Sequence, residues 1–195
     1  VKAGPGKSGG AKFVSRAGQK LDHALAEFGV SPAGLVCADL GCSTGGFTGC
    51  LLDQGAIRVF AVDTGYGVLD WTLRNDSRVV VMERTNALHV KLAEPVGLVT
   101  IDVGWTRQKN ILPAAARMLA TGGRIISLIK PQYEAQASQL RGGVLLEEHL
   151  PAVLAEVERD IASVGFAVAG KTESPIRGGK GNREWVYLLL QVTQK

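Results

Sequence analysis

Asp39-Leu40-Gly41-Cys42-Ser43-Thr44-Gly45-Gly46-Phe47-Thr48 decides how this chain folds. The apolar run before it, Leu35 to Ala38, reads as a buried strand, and the amphipathic stretch from Phe47 to Gln54 reads as a helix. Three glycines let the turn between them pass close to a ligand without Cβ clashes. Free N–H groups at the helix start are expected to face that ligand. A second strand, Arg58 to Val62, ends at Asp63, about twenty residues after the loop, where a carboxylate suits a ribose diol. The combination predicts a nucleoside-cofactor site.

The spacing narrows the cofactor. A dinucleotide loop reads Gly-x-Gly-x-x-Gly, whereas this one reads Gly41-x-x-x-Gly45-Gly46. A P-loop ends in Gly-Lys-[Ser/Thr], and no lysine is present here. The Asp-x-Gly-x-x-x-Gly-Gly pattern resembles the first motif of S-adenosylmethionine (SAM) methyltransferases. That cofactor carries an amino acid where dinucleotides carry phosphates, so no cation is needed to balance a phosphate.

With 195 residues, 46% of them apolar, the chain is expected to form one α/β domain over residues 13–195, preceded by a flexible basic arm at residues 1–12. Strand and helix patterns alternate, which predicts a mostly parallel sheet covered on both faces. No apolar run is long enough to span a membrane. The first residues lack the apolar core of a secretion signal, and the absence of an initiator Met suggests a piece of a longer chain. Cys37, Cys42 and Cys50 fit no zinc spacing, so no metal site is expected; Cys42 is placed in the cofactor loop. Reduced thiols point to the cytoplasm. The net charge of +4 is unevenly spread, with Lys2, Lys7, Lys12, Arg16 and Lys20 ahead of the first acid and Lys171, Arg177, Lys180 and Arg183 around a Gly-rich loop. Two such segments suggest a polyanion partner, the alternative being a solvated tail and loop.

Further along, a helix is expected from about Arg16 to Phe28 with Ser15 as its N-cap, and a short helix within Val68 to Leu73. Strands are expected at Val79 to Met82, Leu98 to Val103 and Arg124 to Lys130. A helix over Asn110 to Leu119 closes at Thr121-Gly122-Gly123. Tyr133 to Gly143 reads as a mobile loop, and a helix follows over Leu146 to Val164. Phe166 to Thr172 and Glu184 to Val192 complete the sheet as a hairpin-like pair. Strand order is not readable from pattern alone.

In open α/β sheets ligands bind beyond the carboxyl ends of the strands. Asp102 ends the fourth strand, Lys130 the fifth, and Glu184 opens the last, which reaches the same edge if it runs antiparallel. Lys20 lies in the first helix, whose place is not fixed by pattern. Methyl transfer from a sulfonium is an in-line displacement, and a ribose hydroxyl needs help to lose its proton. A lysine amine, whose pKa is about 10.4 in water, can be brought down by burial or by a second cation such as Lys20. Lys130 is then the candidate base, with Asp102 and Glu184 orienting the lysines. Each also has a bland reading: Asp102 as a helix cap, Lys130 as a solvated strand end, Glu184 as half of a surface pair, Lys20 as a surface residue.

These residues sit within motifs that run through the chain: Val14-Ser15-Arg16-Ala17-Gly18-Gln19-Lys20-Leu21, Asp39 to Thr48, Val62-Asp63-Thr64-Gly65-Tyr66-Gly67, Leu73-Arg74-Asn75-Asp76, Arg84-Thr85-Asn86, Ile101-Asp102-Val103, Leu128-Ile129-Lys130-Pro131-Gln132 and Gly181-Asn182-Arg183-Glu184. From Phe13 to Leu190 the chain resembles the FtsJ-type RNA 2′-O-methyltransferases, and within them the TlyA-like (haemolysin-like) group. The resemblance implies a Rossmann-like fold whose seven-stranded sheet is parallel apart from one antiparallel strand, with helices on both faces. It implies a Lys-Asp-Lys-Glu tetrad at Lys20, Asp102, Lys130 and Glu184. It also implies S-adenosyl-L-methionine contacts at Gly41, Ser43, Thr44, Gly45, Gly46, Phe47 and Asp102, a ribose contact at Asp63 and an adenine-side contact near Asn86. RNA, in the first instance ribosomal RNA or ribosomal subunits, is the implied partner. The chain departs from the group in two places. An S4-type RNA-binding domain usually precedes the methyltransferase, and Gly104-Trp105-Thr106-Arg107 stands where the family reads Ser-Phe-Ile-Ser. Trp105 either stacks on a base or packs in the core, and Arg107 could contact phosphate. Two other readings stay open: an RNA-binding or assembly module that keeps the cofactor pocket with little turnover, and a membrane-active haemolysin. The oligomeric state is not legible.

Overall fold

A computed structural model describes residues 13–192. The basic arm expected at residues 1–12 lies outside the described residues. Helix α1 (Ala17–Phe28) comes first, followed by β1 (Val36–Leu40), α2 (Gly46–Asp53), β2 (Arg58–Val62), the single turn α3 (Trp71–Arg74) and β3 (Val79–Met82). Then come β4 (Val96–Ile101), α4 (Gln108–Ala116), β5 (Leu119–Ile129) and α5 (Pro131–Glu134). The short strands β6 (Leu140–Arg141) and β7 (Val144–Leu145), helix α6 (Leu150–Ser163) and strands β8 (Phe166–Glu173) and β9 (Trp185–Gln191) complete the chain. The main sheet has the order β3-β2-β1-β4-β5-β9-β8. Its first five strands pair in parallel, and β9 is antiparallel to both of its neighbours. One reversed strand in seven is the arrangement expected.

Alternation along the central strands feeds two cores. Cys37, Val59, Leu98, Ile126 and Val186 point to one face, where they meet Leu21 and Leu25 of α1 and Phe47 and Leu51 of α2. Ala38, Phe60, Val99, Ile125 and Tyr187 point to the other, against Ile111 and Leu112 of α4 and Val157 and Ile161 of α6. Burial on both faces is why these strands read as unbroken apolar runs. Among the described residues no helix is long and apolar enough to cross a membrane.

Three local expectations are corrected. Ser15 does not cap α1 with its side chain, and the helix begins at Ala17. Thr121-Gly122-Gly123 does not close a helix but lies inside β5, where pairing of Leu119 with Val96 and a slip in register before Leu98 override the local turn signal. Tyr133 to Gly143 is not a plain loop: it holds the end of α5, a 3₁₀ turn at Ala137–Gln139, and strand β6 with the turn that leads to its antiparallel partner β7. Leu140 and Leu145 pin that hairpin to Leu150 and Val153 at the start of α6.

Helices α1 and α2 touch where neither has bulk. A Cβ on Gly46 would lie 2.3 Å from Ser15 Oγ and 2.9 Å from the Gly18 nitrogen. Gly46 therefore sets how closely α1, the carrier of Lys20, can approach the sheet. Gly46→Ala is expected to push the helices apart and lower stability by about 1–3 kcal/mol. A urea midpoint at or above the wild-type value would contradict this packing.

Asp39 is fully buried near the end of β1, where its carboxylate accepts hydrogen bonds from Thr48 Oγ1 (2.7 Å) and Thr100 Oγ1 (3.1 Å). Burial pushes its carboxyl up from 3.8 to about 7, against the lowering effect of the two threonines. The folded protein thus holds this proton more tightly than the unfolded chain does. The stability it contributes is complete below the unfolded pKa and is lost as pH rises toward 7. Asp39→Asn has no such proton to lose. It is expected to gain stability relative to wild type between about pH 4 and about pH 7, each tenfold change in the proton equilibrium being worth about 1.4 kcal/mol. Paired denaturation curves across that range measure it, and a pH-independent difference would refute the assignment.

Candidate active site

The ends of four parallel strands and the start of the reversed one meet at one edge of the sheet. β1 delivers Gly41, β2 Asp63, β4 Asp102 and β5 Lys130. Ile129 pairs with Trp185, so Glu184 stands opposite Lys130 in the antiparallel register. Leu40 pairs with Ile101, which brings Gly41 beside Asp102. Gly41 has φ +84°, and a Cβ there would lie 2.6 Å from the Asp102 carbonyl oxygen. Only glycine lets the two strand ends come this close.

Two cavities open at this edge. The first, of about 470 Å³, is lined by Gly41, Ser43, Asp63, Asn86 and Asp102, together with Thr64, Thr85 and Leu88. The second, of about 340 Å³, is lined by Lys20, Asp102, Lys130 and Glu184, with Gln132, Tyr133, Lys180 and Asn182 around them. Asp102, Trp105 and Lys130 belong to both linings.

The expected cofactor residues divide between this first cavity and the packing behind it. Gly41, Ser43, Asp63, Asn86 and Asp102 line it. Thr44, Gly45, Gly46 and Phe47 lie outside the lining. The Thr44 carbonyl accepts a hydrogen bond from the Asp70 N–H, Gly45 backs onto Leu69 and Leu73, Gly46 faces α1, and Phe47 is a core residue. Cys42 also packs into the core rather than the cavity. The amides of the turn ahead of the helix are engaged within the protein. Those of Gly41 and Cys42 donate to the Val62 carbonyl, that of Ser43 to Asp63 Oδ2 at 2.8 Å, and that of Gly45 to the Cys42 carbonyl. Asp63 Oδ1 accepts from the Gly65 N–H at 2.7 Å, which fixes the carboxylate with lone pairs to spare for a ligand hydroxyl. Asn86 is held by a bond from the Leu88 N–H to its Oδ1. The lining thus offers carboxylates and neutral polar groups, and its one cation, Lys130, is paired. It suits a nucleoside with a cationic or neutral tail better than a pyrophosphate.

The four residues proposed for chemistry converge as two ion pairs. Lys20 Nζ lies 2.5 Å from Glu184 Oε2, and Lys130 Nζ lies 2.5 Å from Asp102 Oδ1. Lys20 is only 6% exposed, because α1 turns its side chain inward toward β9 rather than to solvent. A Cβ on Gly178 would sit 2.4 Å from Glu184 Oε1, so the loop before β9 closes directly over that carboxylate.

Trp105 is 85% exposed with φ +63°, and its ring centroid lies 4.7 Å from that of Tyr133. That excludes the core alternative. Arg107 starts α4, half-buried, and its charge bears on buried Glu134. Burial raises the Glu134 carboxyl above the usual range, and its Oε1 accepts the Gln108 N–H at 2.9 Å. Gln108 Oε1 in turn accepts from Ser127 Oγ at 2.7 Å. Gln132 Oε1 is buried with no hydrogen-bond partner among the described residues.

Gln132, Tyr133 and the β6–β7 turn were missed as cavity walls by sequence reasoning. Gly142-Gly143 between the apolar-bearing pairs Leu140-Arg141 and Val144-Leu145 was the available hairpin signal.

Comparison with known proteins agrees with this geometry. The FtsJ-like methyltransferase family profile matches residues 13–190. The 16S/23S rRNA (cytidine-2′-O)-methyltransferase TlyA of Mycobacterium tuberculosis is 42% identical over 189 residues, covering 94% of this chain and 70% of its own. Hemolysin A of Brachyspira hyodysenteriae is 39% identical, covering 90% of this chain and 75% of its own. A solved hemolysin-like structure from Streptococcus thermophilus superposes with a TM-score of 0.91 at 38% identity, covering 96% of this chain and 70% of that one. The chain belongs to the FtsJ-like methyltransferase family.

Proposed function

We propose that this protein transfers a methyl group from S-adenosyl-L-methionine to a ribose 2′-hydroxyl of RNA, with ribosomal RNA, free or within a ribosomal subunit, as its substrate. The observation that carries the reading is the wall shared by the two cavities. A cofactor in the first and a nucleotide in the second would meet at Asp102 and Lys130. The Mycobacterium tuberculosis relative, named for ribose methylation of 16S and 23S rRNA, matches nearly the whole chain. A cytoplasmic location accords with three free, buried cysteines.

The first cavity fits the cofactor by its donor set. Asp63 would take the ribose hydroxyls, Asn86 would border the adenine, and Gly41 and Ser43 would lie along the remainder, with Asp102 at the reacting end. When bound, S-adenosyl-L-methionine supplies an activated methyl group on a sulfonium. Lys130 Nζ, once its ammonium has given up a proton to solvent, would take the proton of the incoming hydroxyl, while Asp102 holds that amine in position through the 2.5 Å contact. Lys20 and Glu184 form the opposite wall, fixing the sugar by hydrogen bonds and keeping the acid beside the lysines. Trp105, stacked against Tyr133 at the shared wall, offers an aromatic face to a base. Orientation of this kind supplies up to roughly 7–11 kcal/mol of a barrier in favourable cases.

Lys130→Ala is expected to lower methyl transfer to ribosomal subunits by at least about 10²–10⁴-fold, with cofactor binding retained. Labelled-methyl incorporation and calorimetry measure the two quantities. Normal turnover by this variant would remove Lys130 from the base role, and an inactive wild type that binds both ligands would favour the assembly-module alternative. Asp63→Ala is expected to weaken cofactor binding by about ten- to a hundredfold, the range for a lost bond to a charged group. An unchanged calorimetric titration would detach Asp63 from the ribose.

A further inference from the structure

The second cavity carries one charge that its own walls do not cancel. Its charged lining residues are Lys20, Asp102, Lys130, Lys180 and Glu184. Lys20 is matched by Glu184 and Lys130 by Asp102, each at 2.5 Å. Lys180 is exposed and makes no ion pair among the described residues.

Its basic neighbours in sequence are engaged elsewhere. Lys171 pairs with Glu158 at 2.9 Å, and Arg183 pairs with Glu173 and Glu147. Arg177 donates to the Gly181 carbonyl at 3.1 Å. The basic cluster that the sequence presents around this loop thus reduces, toward the cavity, to a single ammonium.

The Lys180 side chain lies beside the β6–β7 hairpin. Gly143 has φ +81°, and a Cβ there would lie 2.9 Å from Lys180 Nζ. The lysine therefore lies against the tip of the β6–β7 hairpin. Asn182 ties the two together: its Oδ1 accepts the Leu145 N–H at 2.9 Å, and its Nδ2 donates to the Gly143 carbonyl at 3.0 Å. The loop is closed on itself by bonds from the Gly178 N–H to the Asn182 carbonyl and from the Gly181 N–H to the Gly178 carbonyl, both 2.9 Å.

We infer that Lys180 is the phosphate contact of the substrate cavity, receiving a phosphodiester that flanks the target ribose and so setting the sugar's position before Lys130. This rests on the reading of the cavity as an RNA ribose site. A nucleotide inside a chain brings one negative charge per phosphate, and the paired tetrad has none to spare for it. The contact is sequence-independent, so it places the ribose without choosing the base.

The test is steady-state methylation of purified ribosomal subunits that lack ribose methylation, at several salt concentrations. Lys180→Ala is expected to raise KM for the subunit by about tenfold and to lower the salt slope of kcat/KM by about 1. Lys180→Arg, which keeps the cation, should restore most of the KM and of the salt slope. Lys171→Ala, which removes a cation outside the cavity, should leave both quantities in place. If Lys180→Ala keeps the wild-type KM and salt slope, or if Lys171→Ala shifts them equally, the assignment of Lys180 falls while the methyltransferase reading stands. If wild-type protein methylates no ribose, the reading of the site falls and this one with it.

Discussion

The reversal of β9 is the constraint from which the rest of the site follows. A seventh parallel strand would begin at the far edge of the sheet and carry Glu184 away from the ligand side. Running antiparallel between β5 and β8, it starts where β5 ends, and the pairing of Ile129 with Trp185 sets Glu184 beside Lys130. The same reversal brings the 174–184 loop over the second cavity, with Asn182 and Gly178 in its wall. A shift of one residue along β5 would turn Tyr187 and Leu189 from one core to the other, so burial on both faces fixes the register strongly. The geometry of the site is therefore held by hydrophobic packing well away from it.

Within that frame the charges hold one another. Lys20 and Glu184 are both buried, and removing one partner of such a pair commonly costs about 3–5 kcal/mol, because the other is left uncompensated. The pair also ties α1 to the start of β9. Gly46 allows this by letting α1 settle against α2. Lys130 and Asp102 are somewhat more open to solvent. One pair braces the fold and the other lies between the two cavities.

Much of this was legible in the sequence, and what was not has identifiable causes. The strands Arg58–Val62 and Val79–Met82 were bounded correctly, because β-branched runs stop at polar residues there. The tetrad positions could be named from motifs, and the strand-end rule placed three of the four at one edge. Lys20 could not be placed by pattern, because nothing in a helix sequence says which neighbour its polar residue will find. Pattern could not show that the β1–β2 junction takes up the amides of Gly41 and Cys42 ahead of the helix start. The β6–β7 hairpin was hidden by its length: two residues a side give no period to detect, and its apolar anchors lie across the 3₁₀ turn at Glu147–His149, at the start of α6.

Trp105 shows what such a site costs its fold. A bulky side chain in the left-handed region is strained by about 1–3 kcal/mol, and this one gains little by burial to offset it. The segment is held instead from below. Glu134 accepts the Gln108 N–H at the first turn of α4, where the helix has no side-chain cap of its own, and Ser127 of β5 fixes Gln108 from the other side. Since Glu134 follows Tyr133 directly, the same short helix that opens with Pro131 after Lys130 both anchors the Trp105 turn and supplies its aromatic neighbour. Lys130, Tyr133 and Trp105 are thus placed by one network, and a change in the turn at residues 104–107 would be felt first at the wall between the two cavities.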